Sequence, residues 1–264
     1  MDLKLNPPRG LLNLDLESGP VRLARYVPST PLAELVEHYW TARWDLAGQP
    51  PFTYESLPYP SVHLVVVEGR WTLTGVPTRR FERTLQGTGG AFGIKFRPGG
   101  FRPFLGGSVA HLTNCSLDPL PLLPLTAELP RDALLPDAVL VEHTEAVLQV
   151  HLPAPDERVR EAQVWVNAIA EDRAILRVEQ VVQRSGMTLR ALQRLFREYV
   201  GVSPKWVIQR YRLFEAAERV AAGDADGAQV AQALGYFDQA HFIRDFKAIV
   251  GRSPGAFAAE RRVA

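Results

Sequence analysis

The sequence predicts an α+β protein in which a β-barrel or β-sandwich comes first and an all-helical domain with two helix-turn-helix units follows. Two observations carry this prediction. Short apolar runs separated by turn residues crowd residues 20–97, which is typical of a β-sandwich or small barrel. Residues 182–204 and 231–254 contain the same pattern of helix, turn and helix. An internal repeat of this kind identifies the architecture of a region before any single element does.

Length and charge indicate how the chain is divided. A chain of 264 residues suits two domains. We predict a β-rich domain over residues 1–116, a proline-rich connector with a helix over 117–158, and a helical domain over 159–264. Residues 160–264 hold 16 Lys and Arg against 12 Asp and Glu, whereas residues 1–159 hold 14 against 17. The basic half is the one that contains the repeat, as binding to nucleic acid requires.

The first half of the chain has the pattern of short strands with flanking helices. Strands are predicted at residues 21–27, 39–46, 52–57, 62–67, 71–74 and 91–96. Short helices are predicted at residues 31–36 and 101–105, and residues 1–20 are expected to form an irregular arm rich in Pro, Gly and Asn. Two further helices are expected at residues 138–148 and 156–170, after the proline-rich connecting stretch.

Each copy of the repeat carries its own turn and cap residues. A short helix ends at Gly186 in the first copy and at Gly235 in the second, because glycine permits the left-handed conformation that stops a helix. Thr188 and Asp238 then supply the N-cap oxygen of the next helix. Between the copies, a helix is predicted from Pro204 to about Gly223. Its length of roughly 27 Å is compatible with the ~34 Å that separates recognition helices one DNA turn apart.

The second helix of the first copy has two faces. Five residues at helical spacing are predicted to face the core: Leu189, Leu192, Phe196, Tyr199 and Val200. The opposite face carries Arg190, Gln193, Arg194 and Arg197. Arg reads guanine and Gln reads adenine by bidentate bonds in the major groove. A solvated amphipathic helix has the same charge pattern, but its duplication with matched glycines and caps favours a recognition helix.

The second copy carries a family resemblance. Residues 235–247 (GYFDQAHFIRDFK) and 251–254 (GRSP) resemble the signature of AraC/XylS-type transcription regulators, over about the last hundred residues. The resemblance implies seven helices, a double-stranded DNA operator, and the transcription machinery as a partner in activation or repression. Carried over by position, the base-reading candidates are Arg190, Gln193 and Arg194 in the first unit and Gln239, Ala240, His241 and Arg244 in the second.

The two reading faces differ in chemistry. Arg190, Gln193, Arg194 and Arg197 correspond to Ala240, Ile243, Arg244 and Lys247. We expect the first helix to carry most of the hydrogen-bond readout. The second would supply phosphate contacts from Arg244 and Lys247, with an apolar contact of Ala240 or Ile243 to a thymine methyl group.

The β-rich half has its own, weaker resemblance. Residues 26–28, 36–40, 57–58 and 92–100 resemble the N-terminal domain of one AraC-type subgroup, which implies no known ligand. Relatives in the wider family use a cupin-like barrel to bind a small effector and to form homodimers. Five aromatic residues could line a pocket for an apolar or aromatic effector or could simply form the core: Trp40, Trp44, Tyr54, Trp71 and Phe92.

Other functions lack support in the sequence. His111 and Cys115 are four residues apart, but no second pair with ligand spacing lies near them, so we expect no metal. We find no cofactor fingerprint and no catalytic set, and we expect a non-enzyme. The alternative is an N-terminal domain with an enzymatic or protein-binding role that the C-terminal domain targets to DNA. Without a signal-peptide core or a membrane-spanning apolar run, a cytoplasmic location is expected.

Overall fold

The computed structural model describes residues 19–223, 227–236 and 238–263. The expected arm of residues 1–20 lies outside this range apart from its last two residues. Eight strands form within the described range, and their bounds are as follows. They are β1 (Val21–Tyr26), β2 (Val36–Leu46), β3 (Phe52–Ser56), β4 (His63–Val67), β5 (Arg70–Thr74), β6 (Phe81–Leu85), β7 (Gly87–Phe96) and β8 (Ser116–Leu117).

Six of these strands form one antiparallel sheet in the order β1-β2-β7-β4-β5-β8. The two longest strands, β2 and β7, pair at its centre with Tyr39 opposite Ile94 and Trp40 opposite Gly93. Strands β3 and β6 form a separate two-stranded ribbon. The expected barrel or sandwich therefore takes the form of a twisted sheet with a ribbon beside it, and the prediction of a β-rich first half is confirmed.

Nine α-helices follow or flank the sheet within the described residues. They are α1 (Arg102–Leu105), α2 (Asp137–Val150), α3 (Glu157–Glu171), α4 (Val178–Ser185), α5 (Leu189–Leu195), α6 (Pro204–Ala222), α7 (Gly227–Ala233), α8 (Gln239–Val250) and α9 (Pro254–Val263). Two 3₁₀ helices lie between α1 and α2, at Val109–Leu112 and Pro124–Ala127. Helices α3 to α9 are the seven that the family resemblance implies.

Three local predictions differ from the structure. The short helix predicted at residues 31–36 is a hydrogen-bonded turn over residues 31–35, and Val36 is the first residue of β2, where it pairs with Phe96. Strands β6 and β8 were not predicted. The helix that begins at Leu189 changes at Phe196 into a π turn, in which the Gly201 N–H donates to the carbonyl of Phe196 over 2.9 Å.

The hydrophobic core runs without a break from the sheet into the helices. One cluster of buried side chains extends from Leu32 in the first half to Ile208 on α6 and includes the apolar face of α3. A second cluster joins the end of α6 to α7, α8 and α9, and it also contains Leu57 from the β-rich half. The β-rich half is thus packed against both helix-turn-helix units.

Candidate nucleic-acid interface

The turn of each helix-turn-helix unit is built as the sequence predicts. Gly186 and Gly235 have φ angles of +69° and +70°, in the left-handed region that glycine adopts without strain. Thr188 Oγ1 accepts from the Ala191 N–H over 3.2 Å, and Asp238 Oδ1 accepts from the Ala240 N–H over 2.6 Å. Each cap satisfies a backbone donor that the first turn of a helix leaves unpaired.

The basic face of α5 is open to solvent. Arg190, Gln193 and Arg194 are exposed, and so is Arg197 in the π turn that follows. In the part of the chain that the structure describes, no carboxylate oxygen lies within 4.0 Å of these three guanidinium groups; the paired arginines are elsewhere. Their donors are therefore available to a polyanion.

The buried face of α5 packs on the core through Leu192, Leu195 and Phe196. Leu189 was expected to join them, and that prediction is wrong: its side chain is 46% exposed. Leu189 is the first residue of the helix, directly after the N-cap, and it projects past the edge of the core. It extends the exposed face with an apolar group of the kind that contacts a thymine methyl.

The exposed face of α8 matches that of α5 in position but differs in charge. Gln239, Ala240, His241, Arg244 and Lys247 are all exposed, while the opposite face is buried. The Nε2 atom of His241 lies 3.3 Å from Asp245 Oδ2, and Arg244 Nε donates to the Ala240 carbonyl over 3.4 Å. The exposed face of α8 thus carries the small apolar side chain of Ala240 beside the cations Arg244 and Lys247.

Helix α6 connects the two units as a single rigid element. Ser203 Oγ caps it by accepting from the Trp206 N–H over 3.2 Å, and Gly223 ends it with a φ of +74°. Its 19 residues span about 28 Å. The predicted connecting helix is confirmed, and it begins at Pro204 and ends at Gly223 as expected.

Residues of the β-rich half form hydrogen bonds to both helix-turn-helix units. Near the first, Ser108 Oγ donates to the Arg197 carbonyl over 3.3 Å and Thr113 Oγ1 to the Gly201 carbonyl over 2.6 Å. These bonds hold the π turn after α5 through its backbone carbonyls, so the exposed side chains of α5 are not used for them.

The ribbon of β3 and β6 holds the second unit through one carboxylate. Glu55 on β3 accepts from Arg80 Nη1 through Oε1 and from Arg252 Nη1 through Oε2, each over 2.8 Å. Arg80 lies directly on Gly251, where a Cβ would stand 2.4 Å from its Cζ atom. Nothing in the sequence pattern indicated this contact, because Glu55 and Arg252 are 197 residues apart.

The five aromatic candidates for an effector pocket do not converge. Trp71 and Phe92 lie in the core cluster on one face of the sheet, with their ring centroids 6.1 Å apart. Trp40, Trp44 and Tyr54 belong to a smaller cluster on the other face. There the two tryptophans lie over glycines of β7.

Two further features concern metal binding and membrane spans. Among the described residues, no group of three or more His, Cys, Asp or Glu is placed to hold a metal ion. Cys115 is near His111, but its Sγ contacts the His111 carbonyl at 3.6 Å rather than the ring. Over residues 19–223, 227–236 and 238–263, no helix is long and apolar enough to cross a membrane.

The two turns, the two caps and the connecting helix define a protein with a paired helix-turn-helix DNA-binding domain. A helix-turn-helix domain family matches residues 181–260, and a domain of unknown function, DUF6597, matches residues 24–118. The transcriptional activator AarP of Providencia stuartii is 31% identical over 99 residues, which are 38% of this chain and 72% of AarP. The chain belongs to the AraC family of helix-turn-helix transcription regulators.

Other relatives match over shorter shares of their length. The arabinose operon regulatory protein of Escherichia coli is 29% identical over 123 residues, 47% of this chain and 42% of the relative. The activator RhaS of Pectobacterium carotovorum is 30% identical over 74 residues, 28% of this chain and 26% of RhaS. Among solved structures, ToxT of Vibrio cholerae aligns with 90% of this chain and 97% of its own, at 12% identity and a TM-score of 0.38.

Proposed function

We propose that this transcription regulator reads two successive major-groove segments of its operator with unequal chemistry. Helix α5 reads bases through Arg190, Gln193 and Arg194, with Arg197 on phosphate. Helix α8 contributes phosphate contacts from Arg244 and Lys247 and apolar contacts from Ala240. The observation that carries this proposal is the pair of exposed faces held by the single helix α6: the face of α5 and its π turn carries three guanidinium groups, and the face of α8 carries one.

The physical reason for the inequality lies in what each face can donate. Arg190, Gln193 and Arg194 present planar donor groups suited to bidentate bonds with base edges. On α8, the residue that matches Arg190 is Ala240, which has no donor, and Arg244 is a single guanidinium. Phosphate contacts fix the register of a protein on DNA but carry no sequence information.

Base-by-base scanning of the operator tests the proposal. We expect mismatches under α5 to cost about 1–3 kcal/mol each and those under α8 to cost less. Arg194→Ala should remove the preference at one position under α5. The matched control is Arg131→Ala, which removes an exposed arginine of the connecting stretch. Equal costs under both helices would contradict the proposed division.

For the β-rich half, we infer a role in sensing a small molecule or in forming a homodimer. The support is its packing against both units, since a ligand or a second copy that shifts the sheet would also shift the helices. Size-exclusion chromatography of the full chain with light scattering distinguishes these two roles. A protein that is monomeric at all concentrations would contradict the homodimer role and leave the sensing of a small molecule. We also propose that the protein acts on chromosomal DNA with the transcription machinery, in the cytoplasm. The relatives are transcription regulators, which supports a non-enzymatic role.

A further inference from the structure

Leu189 is a large apolar side chain at the edge of the exposed face of α5. It is the first residue of this helix, directly after the N-cap Thr188, and it is 46% exposed. Because Cα–Cβ bonds tilt toward the N-terminus of a helix, its side chain points past the beginning of α5. In helix-turn-helix proteins, the N-terminal residues of the recognition helix contact the base edges. Leu189 therefore lies at a position suited to a base contact.

Other residues already fill the core side of α5. Leu192, Leu195 and Phe196 are buried in the core cluster that joins the sheet to the first unit. Met187, the residue before the N-cap, packs against the same cluster, and an apolar side chain at that position fixes the entry of the chain into a helix. The exposed part of Leu189 gains nothing from the hydrophobic effect in the free protein, so its burial against another molecule would be favourable.

The neighbours of Leu189 on the helix are two of the proposed base-reading residues. Gln193 is four residues further along α5, so its side chain lies beside that of Leu189 on the helix surface. Arg190 is the next residue in the chain, and both neighbours are exposed. If these two donors bond to base edges, Leu189 meets the same major groove at the edge of the contact.

The second unit has a polar residue at the matching position. Gln239 is the first residue of α8, directly after the N-cap Asp238, and it is exposed. The two units thus present an apolar side chain on α5 and an amide on α8 at equivalent places. An amide can form hydrogen bonds with a base edge, whereas leucine cannot. The two positions therefore favour different groups of the DNA.

The apolar group that base edges offer in the major groove is the C5-methyl of thymine. Other positions there carry hydrogen-bond donors or acceptors, and leucine would remove water from them without replacing its hydrogen bond. We propose that Leu189 is a specificity-determining residue that contacts the C5-methyl of a thymine in the half-element under α5, beside the base that Gln193 reads. This assignment deepens the DNA-reading function proposed above and rests on it.

Deoxyuridine substitution in the operator tests the contact, because it removes the methyl group and keeps every hydrogen-bonding group of the base. The probe is the operator obtained by selecting genomic fragments with the full chain. Each thymine of the half-element in which Arg194→Ala loses its preference is replaced in turn, and Kd is measured by fluorescence anisotropy. We expect one replacement to raise the Kd of the wild type about three- to fourfold, the loss that corresponds to one buried carbon group.

Three variants assign the effect to Leu189. In Leu189→Ala, the same replacement should change Kd by less than about 1.5-fold, because the side chain that contacts the methyl group is gone. Leu189→Met keeps an apolar side chain of similar volume and should retain a penalty of at least about twofold. The matched control is Leu122→Ala in the connecting stretch, where the leucine is 44% exposed, and it should keep the wild-type penalty. The two Kd values are compared within each variant, so a lower fraction of folded protein cannot imitate the result.

The outcomes separate this assignment from the DNA-reading proposal. If no thymine replacement under α5 raises the Kd of the wild type, or if the penalty is the same in wild type and Leu189→Ala, the assignment is overturned and the DNA-reading proposal stands. A penalty that Leu189→Met loses as fully as Leu189→Ala would also contradict an apolar contact. If the wild-type protein selects and binds no operator, the DNA-reading proposal fails and the assignment fails with it.

Discussion

The contact between the β3–β6 ribbon and the second helix-turn-helix unit gives a sharp test of how the molecule is held together. In wild type, Glu55 accepts one bond each from Arg80 and Arg252 at 2.8 Å, and its side chain is 15% exposed. Glu55→Gln keeps the size of the side chain but removes its charge. It also replaces one acceptor oxygen with an amide donor that faces a guanidinium group.

The size of the effect follows from these bonds. A hydrogen bond to a charged group contributes about 1.5–3 kcal/mol. Because the Glu55 side chain is partly exposed, we expect each of its two bonds to contribute near the lower end of that range. One bond is lost and the other loses its charge assistance, so we expect Glu55→Gln to cost about 2–3 kcal/mol. Because Glu55 attaches α8 and α9 through Arg252 and the Gly251 turn, the loss should appear as local opening of the second unit.

Hydrogen exchange followed by mass spectrometry measures this opening. The amides of α8 and α9 should exchange about 30-fold or more faster in Glu55→Gln, while those of α5 keep their wild-type rates. The control is Glu142→Gln on α2, where the carboxylate is exposed. Unchanged exchange in α8, or equal acceleration in α5, would refute the reasoning. A double-mutant cycle of Glu55→Gln with Arg252→Gln should give a coupling energy of about 1–2 kcal/mol.

Three further predictions concern DNA affinity, backbone geometry and pH. Arg194→Ala should weaken operator binding by about 1–3 kcal/mol and relax specificity at one base pair, as anisotropy with mismatched operators will show. Gly186→Ala, at a φ of +69°, should lower the free energy of unfolding measured in urea by about 1 kcal/mol. Gly255→Ala, in open space on α9, should raise it by about 0.5–1 kcal/mol. Burial, together with Lys95, lowers the pKa of His63 to about 3. His63 therefore stays neutral in the folded state, stability is full above about pH 6.5, and it falls as pH drops toward 3; His63→Gln should flatten that loss in acid unfolding curves.

The features that the sequence predicted best are those with a local cause. Gly186 and Gly235 permit a left-handed turn, and Thr188 and Asp238 cap the following helix with their own side chains. Each depends on a few neighbouring residues, so both helix-turn-helix units could be located in advance. The end of α6 at Gly223 has the same origin.

Features that depend on distant partners could not be predicted. Strand β6 forms because β3 lies beside it, and its own sequence has little strand pattern. The aromatic residues separate onto two faces because Trp40 pairs with Gly93 and not with Phe92, a register that alternation alone cannot fix. Arg210 is buried, although charged residues are mostly exposed, and its Nε donates to the carbonyl of Pro58, 152 residues earlier in the chain.

The most direct test of the central claim is selection of genomic DNA fragments by the purified full-length protein. The full chain is required because one core joins the sheet to the first helix-turn-helix unit. We predict enrichment of one motif with two half-elements about ten base pairs apart, and loss of specificity at one base pair of a single half-element in Arg194→Ala. A motif with one element, or one that Arg194→Ala leaves unchanged, would contradict the account.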